Sequence, residues 1–180
     1  DHLEPRKGEW SYAQYDACFD EARELGLRIV PTLMSASPPG WMRLTDGPQD
    51  VADMNDPAFV ALSADYLRRV VGRYKDYPNL DSWILWNEPS RELFKTPHAM
   101  REFARFMARS YGDIAAFNAI SYRQYDDFAE LATVADQAQG EYSIPFKSFV
   151  ERVDWIRFSV DNLMEKLVFI RDEIRRLDPV

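Results

Sequence analysis

Apolar residues recur at helical spacing in several stretches of the chain and form two continuous runs between them. From Tyr12 to Leu25 they fall three to four positions apart, and Gly26 follows as a C-terminal cap, which predicts a helix. The next run, LRIVPTL at residues 27–33, predicts a buried strand, as does the run LDSWILW at residues 80–86. Because neither run alternates apolar with polar residues, parallel strands covered on both faces are expected.

The other long stretches with helical spacing have recognisable start signals. In the first of these, Asn55 or Asp56 is the expected N-cap, with Pro57 in the first turn. An irregular region is predicted from Tyr122 to Pro145. The predicted helices run from Pro57 to a break at Tyr77-Pro78-Asn79, from Thr96-Pro97 to about Tyr111, around residues 113–121, and from about Phe146 to Leu177.

Helices that alternate with buried strands are typical of an α/β fold. Two strands cannot close a parallel barrel, which needs about eight βα units and typically about 250 residues. Residues 1–180 are therefore predicted to be a segment of one larger α/β domain that needs further residues to cover its sheet edges. The start at Asp1, without a methionine, agrees with a segment, so the compartment stays open. The lack of a signal-peptide pattern and the single cysteine favour the cytoplasm.

Composition excludes several classes of partner. The net charge of −8, with no basic stripe, argues against nucleic acid, and no apolar stretch approaches the roughly 20 residues of a membrane span. Cys18 alone can form neither an internal disulfide nor a cysteine zinc cluster. His2 and His98 lack ligand partners at metal spacing and are interpreted as surface residues, so no metal or other cofactor is expected.

Aromatic residues make up 14% of the chain, which suits either a ring-rich core or the stacking of a ligand. The apolar face of a sugar packs well on a flat ring, so carbohydrate is one ligand to consider. Three of the five tryptophans are interpreted as packing residues: Trp10, Trp83 and Trp155.

The triplet Asn-Glu-Pro at residues 87–89 follows the second apolar run directly. In parallel α/β folds, functional groups collect at the carboxyl ends of the strands. If side chains alternate along the strand, Glu88 shares a face with Trp86 and is expected in a poorly solvated place. Burial of this kind raises the pKa of a carboxyl group, as a general acid near neutral pH requires. The alternative is that Asn87 and Glu88 only cap the loop and bind backbone amides.

The WNEP segment resembles the acid/base motif of retaining glycoside hydrolases built on (β/α)8 barrels, where it closes the fourth strand. Further segments resemble family-42-type β-galactosidases, in the same order along the chain. They are HLEPRKGEWSYAQYD, GLRIVPTLMSASPPGWM, VVGRYKDYPNLDSWILWNEP, YGDIAAFNAISYRQYDDFAEL and VDWIRFSVDNLMEKLVFIRDEIRRLDP. The resemblance covers nearly the whole chain and implies a partial TIM barrel, roughly its strands 3 and 4 with flanking helices.

The resemblance also implies roles for particular residues. Glu88 would be the acid/base of a double displacement, and Asn87 would bind the sugar 2-hydroxyl. Trp86 and Trp41 are the candidates for stacking on the substrate. The alternatives are a core role for Trp86 and a loop anchor for Trp41.

The nucleophile of the resembled family is a glutamate at the end of the seventh strand, whereas this chain ends before a fifth. Glu4 lies in an LEP segment that is interpreted as structural. The other carboxylates that could replace the nucleophile lie in predicted loops or helices and follow no buried strand: Asp53, Glu92, Glu102 and Glu141. The nucleophile is therefore predicted to lie outside the chain, and the isolated chain is expected to be inactive.

Three functions stay open at this point. The chain belongs to a β-galactosidase-like enzyme, to a barrel glycosidase on another sugar (a cellulase, mannanase or xylosidase type), or to a non-catalytic carbohydrate-binding or assembly module. The second is kept because many family members have a glycone-binding arginine after the third strand, where this chain offers only Arg43. The expected partner is a β-galactoside or a related oligosaccharide, and the resemblance implies a homo-oligomer, often a trimer.

Overall fold

Two short strands pair in parallel, and the candidate residues Asn87 and Glu88 follow the second of them. A computed structural model of the chain describes residues 2–35, 38–42, 53–90, 95–133 and 148–179. In it, strand β1 (Thr32–Met34) lies beside β2 (Ile84–Trp86), with Thr32 next to Ile84 and Met34 next to Trp86. The parallel pairing predicted from the two apolar runs is confirmed.

The strands are shorter and more open than predicted. Before the ladder, the two runs pair at an isolated bridge between Ile29 and Leu80. Ile84 is 45% exposed and Val30 44% exposed, so the expectation of strands covered on both faces is wrong for this chain. The physical reason is that the described elements cover a two-stranded sheet on part of its surface only, and apolar content does not reveal which residues complete a ladder.

Six helices accompany the strands in the described part of the chain, together with a short 3₁₀ helix at Gly40–Met42. They are α1 (Ala13–Glu24), α2 (Pro57–Tyr74), α3 (Pro97–Tyr111), α4 (Ile114–Ser121), α5 (Glu130–Thr133) and α6 (Phe149–Leu177). None of these helices combines the length and the apolar composition that crossing a bilayer would require.

Two of the predicted helix signals, Thr96-Pro97 and Gly26, act at their positions. The Thr96 side chain accepts a hydrogen bond from the Ala99 N–H at 3.1 Å, ahead of Pro97 at the first helical position. Helix α1 ends before Gly26, which adopts a φ of 68°, a left-handed value that suits glycine.

One element was not predicted. Helix α5 lies inside the region from Tyr122 to Pro145 that was expected to be irregular, and its Leu131 is fully buried. Tertiary packing of this one apolar side chain stabilises a turn of helix that local spacing does not indicate. The rest of that region, residues 134–147, lies outside the described residues.

The chain divides into two compact units. The strand unit comprises residues 1–52, 57–89 and 166–180, and the helical unit comprises residues 53–56 and 90–165. Helix α6 contributes its first part to the helical unit and its last part, from Lys166 onward, to the strand unit.

Each unit has its own buried residues. The helical unit is built around Met100, Phe103, Met107, Phe117, Leu131 and Phe158, with Trp155 packed at their edge as predicted. In the strand unit, the other two tryptophans assigned to packing are also in contact. Trp83 donates its indole N–H to the Asp178 carboxylate at 2.8 Å, and Trp10 stacks on Tyr12 at 5.9 Å between ring centroids.

Candidate active site at the carboxyl end of strand β2

Asn87 and Glu88 follow the last residue of β2 directly. The Asn87 N–H donates to the Met34 carbonyl at 2.8 Å, which continues the hydrogen bonding between the strands by one residue. At Glu88 the backbone turns to a φ of 46°, a left-handed value uncommon outside glycine and unusual before a proline such as Pro89. Backbone outliers of this kind cluster at functional sites, because surrounding structure must maintain them.

Glu88 is exposed, so the expectation of a poorly solvated carboxyl beside an indole is wrong for this chain. The left-handed backbone at Glu88 breaks the strand alternation on which that expectation depended. Among the described residues, none donates a hydrogen bond to this carboxylate, and Asn87 is exposed as well. Both side chains are therefore accessible to a substrate from solvent, and the loop-capping alternative has no support in their contacts.

Trp86 is half-buried at the end of β2. Its indole Nε1 is buried and has no hydrogen-bond acceptor among the residues that the structure describes. A buried atom cannot meet a sugar hydroxyl, so the part of Trp86 that remains available to a ligand is its carbon ring surface. This arrangement suits stacking rather than hydrogen bonding.

Trp41 is placed differently. It lies in the 3₁₀ helix, and its indole N–H donates to the Glu4 carbonyl at 2.9 Å. This bond ties the loop to the N-terminal segment, as the loop-anchor alternative expected. Trp41 also lines a pocket of about 180 Å³ in the strand unit, whose described lining residues do not include Asn87, Glu88 or Trp86. The structure thus groups Trp86 with the Asn-Glu pair and does not bring Trp41 to them through this pocket.

The other carboxylates have structural contacts. Glu4 accepts from the Gly8 N–H at 2.6 Å, and the partly exposed Glu102 pairs with Arg105 at 2.5 Å. Asp53, in the helical unit, is buried and accepts from the Thr96 hydroxyl at 2.5 Å. The two remaining positions, Glu92 and Glu141, lie outside the described residues, as does Arg43.

Metal-binding groups are scattered in the described ranges, where no three His, Cys, Asp or Glu side chains come together as a metal site requires. His98 lies 3.9 Å from Asp56, and its Nδ1 is 2.8 Å from an Arg101 nitrogen, a surface contact of the kind expected for it. Cys18 is exposed.

Sequence reasoning missed the pocket. Phe59, Leu62 and Tyr66 belong to the helix predicted to start at Pro57, and they line this pocket together with Ser63. The available signal was the serine within an otherwise apolar stripe, at a position that the structure shows to be 3% exposed.

Comparison with known proteins adds to this geometry. A family model described as β-galactosidase, glycoside hydrolase family 42, matches residues 1–180. A curated β-galactosidase from Halorubrum lacusprofundi is 25% identical over 205 aligned positions, covering 98% of this chain and 28% of that protein.

Solved structures show the same fold. A β-galactosidase from Bacillus circulans sp. alkalophilus superposes with a TM-score of 0.80 at 16% identity, over 98% of this chain and 29% of that one. A β-galactosidase from Rahnella sp. R3 gives a TM-score of 0.81 at 18% identity, over 98% and 28%. The α/β fold is thus similar to that of these enzymes, and the chain spans less than a third of each relative's length.

Proposed function

Because the chain belongs to the β-galactosidases of glycoside hydrolase family 42, we propose that it is part of the catalytic domain of a retaining, β-galactosidase-like glycoside hydrolase. In this proposal residues 1–180 are a segment of a single TIM-barrel domain, and β1 and β2 are roughly its third and fourth strands. The substrate is a β-linked galactoside or a related oligosaccharide.

The observation that carries the proposal is the position of Asn87 and Glu88 directly after Trp86, at the carboxyl end of a parallel strand. Active sites of barrel enzymes lie at this end of the strands. Exposure of Glu88 supports the role as well, since an acid/base group must reach the substrate.

Glu88 donates a proton to the glycosidic oxygen as the bond to the anomeric carbon breaks, and later accepts a proton from the attacking water. Asn87 hydrogen-bonds the sugar 2-hydroxyl, a contact that strengthens as the transition state forms. Trp86 presents its ring to the sugar, and Trp41 is the second stacking candidate through its ring alone, because Glu4 already holds its N–H.

The nucleophile is proposed to lie outside residues 1–180. In retaining enzymes it is a carboxylate about 5–5.5 Å from the acid/base. Glu4 is bonded to the Gly8 N–H, and Glu102 is paired on the surface of helix α3. Neither of them directly follows one of the two described strands, as Glu88 does.

Other partners follow from the family. We propose that the whole protein forms a homo-oligomer, with a trimer as the expected form. Its size in solution, measured by light scattering, tests this part independently of catalysis.

The decisive experiment is the hydrolysis of an aryl β-galactoside by the longest natural polypeptide that contains these residues. Glu88→Gln should lower kcat/KM by about 10²–10⁴-fold, the usual contribution of a general acid. Glu102→Gln is the control, because Glu102 is a partly exposed glutamate on helix α3 that pairs with Arg105, and it should leave the rate unchanged. Equal rates for the two variants would refute the role of Glu88.

Two further measurements separate the finer parts of the proposal. The 180-residue chain alone should not turn over the substrate, and turnover that Glu88→Gln abolishes would refute an external nucleophile. A panel of aryl glycosides tests the sugar, since a glucoside, mannoside or xyloside hydrolysed faster than the galactoside would move the enzyme to another specificity.

A further inference from the structure

The pocket of about 180 Å³ in the strand unit lies at the carboxyl end of β1. Of its described lining residues, only Trp41 has a place in the chemistry proposed above. One wall is a single face of helix α2, because Phe59, Leu62 and Tyr66 recur three or four positions apart. Leu33 of β1 contributes to the remaining lining, with the loop that carries Trp41.

The walls are held in place by contacts that do not depend on a ligand. Trp41 donates its N–H to the Glu4 carbonyl at 2.9 Å, and the Glu4 carboxylate accepts from the Gly8 N–H at 2.6 Å. Trp10 stacks on Tyr66 with 6.4 Å between ring centroids and an interplanar angle of 29°. The pocket is therefore preformed, which removes the free energy that ordering its walls would otherwise require.

The lining is mostly apolar, with few polar groups available to a ligand. The hydroxyls of Tyr15 and Tyr66 bond to no described residue. Burial, with smaller contributions from the phenol groups of Tyr15 and Tyr12, raises the pKa of Tyr66 to about 12. Its hydroxyl is thus protonated at neutral pH and can both donate and accept a hydrogen bond.

We propose that this pocket binds a small neutral monocyclic phenol, with the ring against Phe59 and Leu62 and the hydroxyl bonded to Tyr66. The size fits, since an apolar cavity of about 150 Å³ accommodates benzene. A sugar fits worse, because each buried hydroxyl without a partner is unfavourable. Glu4 disfavours an anion by its charge.

The test is calorimetric titration of phenol, toluene and galactose into the full 180-residue chain. Phenol should bind one site with a dissociation constant on the order of 1 mM. Toluene should bind about three- to tenfold more weakly, because it lacks the hydroxyl, and galactose should not bind.

Two variants locate the site. Leu62→Trp fills the pocket and should weaken phenol binding at least about tenfold, whereas Ala61→Trp adds the same ring at an exposed position of helix α2 and should change nothing. Tyr66→Phe should lower the affinity for phenol to that for toluene while leaving toluene binding unchanged. If Leu62→Trp does not fold, the ratio of phenol to toluene affinity in Tyr66→Phe tests the site by itself.

Several results would overturn the inference. They are equal phenol binding by the Leu62→Trp and Ala61→Trp variants, galactose binding more tightly than phenol, and no phenol binding by a chain that unfolds cooperatively. A chain without cooperative unfolding would also overturn it, since such a chain forms no pocket. None of these readouts depends on glycosidase activity, so they are distinct from a failure of the proposed function.

Discussion

The two compact units contain the same three-part contact, an arginine and a tyrosine on one carboxylate, in different surroundings. In the strand unit, Arg73 and the Tyr74 hydroxyl bind Asp16, with Nε to Oδ1 at 2.8 Å and hydroxyl to Oδ1 at 2.9 Å. The Arg73 and Asp16 side chains are 42% and 26% exposed, so water competes for both.

In the helical unit, Arg123 donates to the Glu151 carboxylate from Nε at 2.8 Å and from Nη2 at 3.0 Å. The Tyr125 hydroxyl donates to the same carboxylate at 2.8 Å. Glu151 is fully buried. Burial, followed by the hydrogen bond to Glu151, raises the pKa of Tyr125, which keeps its hydroxyl a donor. Because a buried carboxylate depends on its partners, this contact should matter far more to stability than the exposed one.

The units differ in chemistry as well. Asn87 and Glu88 are exposed in the strand unit, whereas the charges of the helical unit that are buried, such as Glu151 and Asp154, are bonded within it. Accessible groups without protein partners can reach a substrate, whereas buried charges bonded within the unit contribute to folding. Stability measurements on matched variants can test this division.

The largest effect is expected for Glu151→Ala, which leaves Arg123 and Tyr125 without their buried partner. Its free energy of unfolding in urea should fall by about 3–5 kcal/mol. Glu165→Ala, at an exposed position of the same helix, is the control and should change stability by less than about 0.5 kcal/mol. A similar small change for both would remove the distinction between the two contacts.

A smaller effect is expected for Asp16→Ala in the strand unit. The exposed pair with Arg73 should contribute about 1 kcal/mol or less to the free energy of unfolding, because water and salt screen it. Raising the salt concentration should shrink the difference between this variant and the parent chain. A loss as large as that of Glu151→Ala would contradict the assignment by burial.

The exposed contact also predicts a pH dependence. The hydrogen bond from Arg73, assisted by that from Tyr74, lowers the pKa of Asp16, whereas partial burial opposes the change. Because the pKa of Asp16 is lower in the folded than in the unfolded chain, its carboxylate stabilises the fold at any pH above the unfolded pKa of about 4. This stabilisation is lost as the pH falls through the pKa of the folded state. The stability difference between the parent chain and Asp16→Asn should therefore shrink below about pH 4, in urea titrations at a series of pH values.

The smallest effect on stability is expected for Glu88→Gln. The Glu88 side chain is exposed and bonds to no described residue, so its replacement should change the free energy of unfolding by less than about 0.5 kcal/mol. Combined with a large loss of activity, this would sharpen the contrast between chemistry and folding. A loss of several kcal/mol would instead show that Glu88 supports the structure.

Much of the helical structure could be predicted because its signals are local. Thr96 and Pro97 specify the start of α3, and Gly26 specifies the end of α1, through hydrogen bonds and backbone angles within one turn. The strands were less predictable. An apolar run shows that residues avoid water, but only pairing with another run decides that the ladder starts at Thr32 and Ile84.

The candidate site shows the same limit. The sequence placed Asn87 and Glu88 after a strand, and the structure has them there. The sequence did not predict the exposure of Glu88, because a left-handed turn before Pro89 depends on the surrounding chain rather than on the alternation of side chains along a strand. The sequence did not predict the burial of Glu151 either, since a glutamate on a helix is usually solvated.

By itself the sequence determined the approximate boundaries of α1 to α4 and α6, the α/β order, the parallel strands and the family, all of which depend on residue types and short spacings. The tertiary structure alone decided which charge is buried, where the ladder begins and that a pocket opens beside α2. The physical reason is the separation along the chain between the residues that interact. Caps and periodicity act within a turn or a strand, whereas burial and pairing depend on residues such as Arg123 and Glu151 that are distant in the chain.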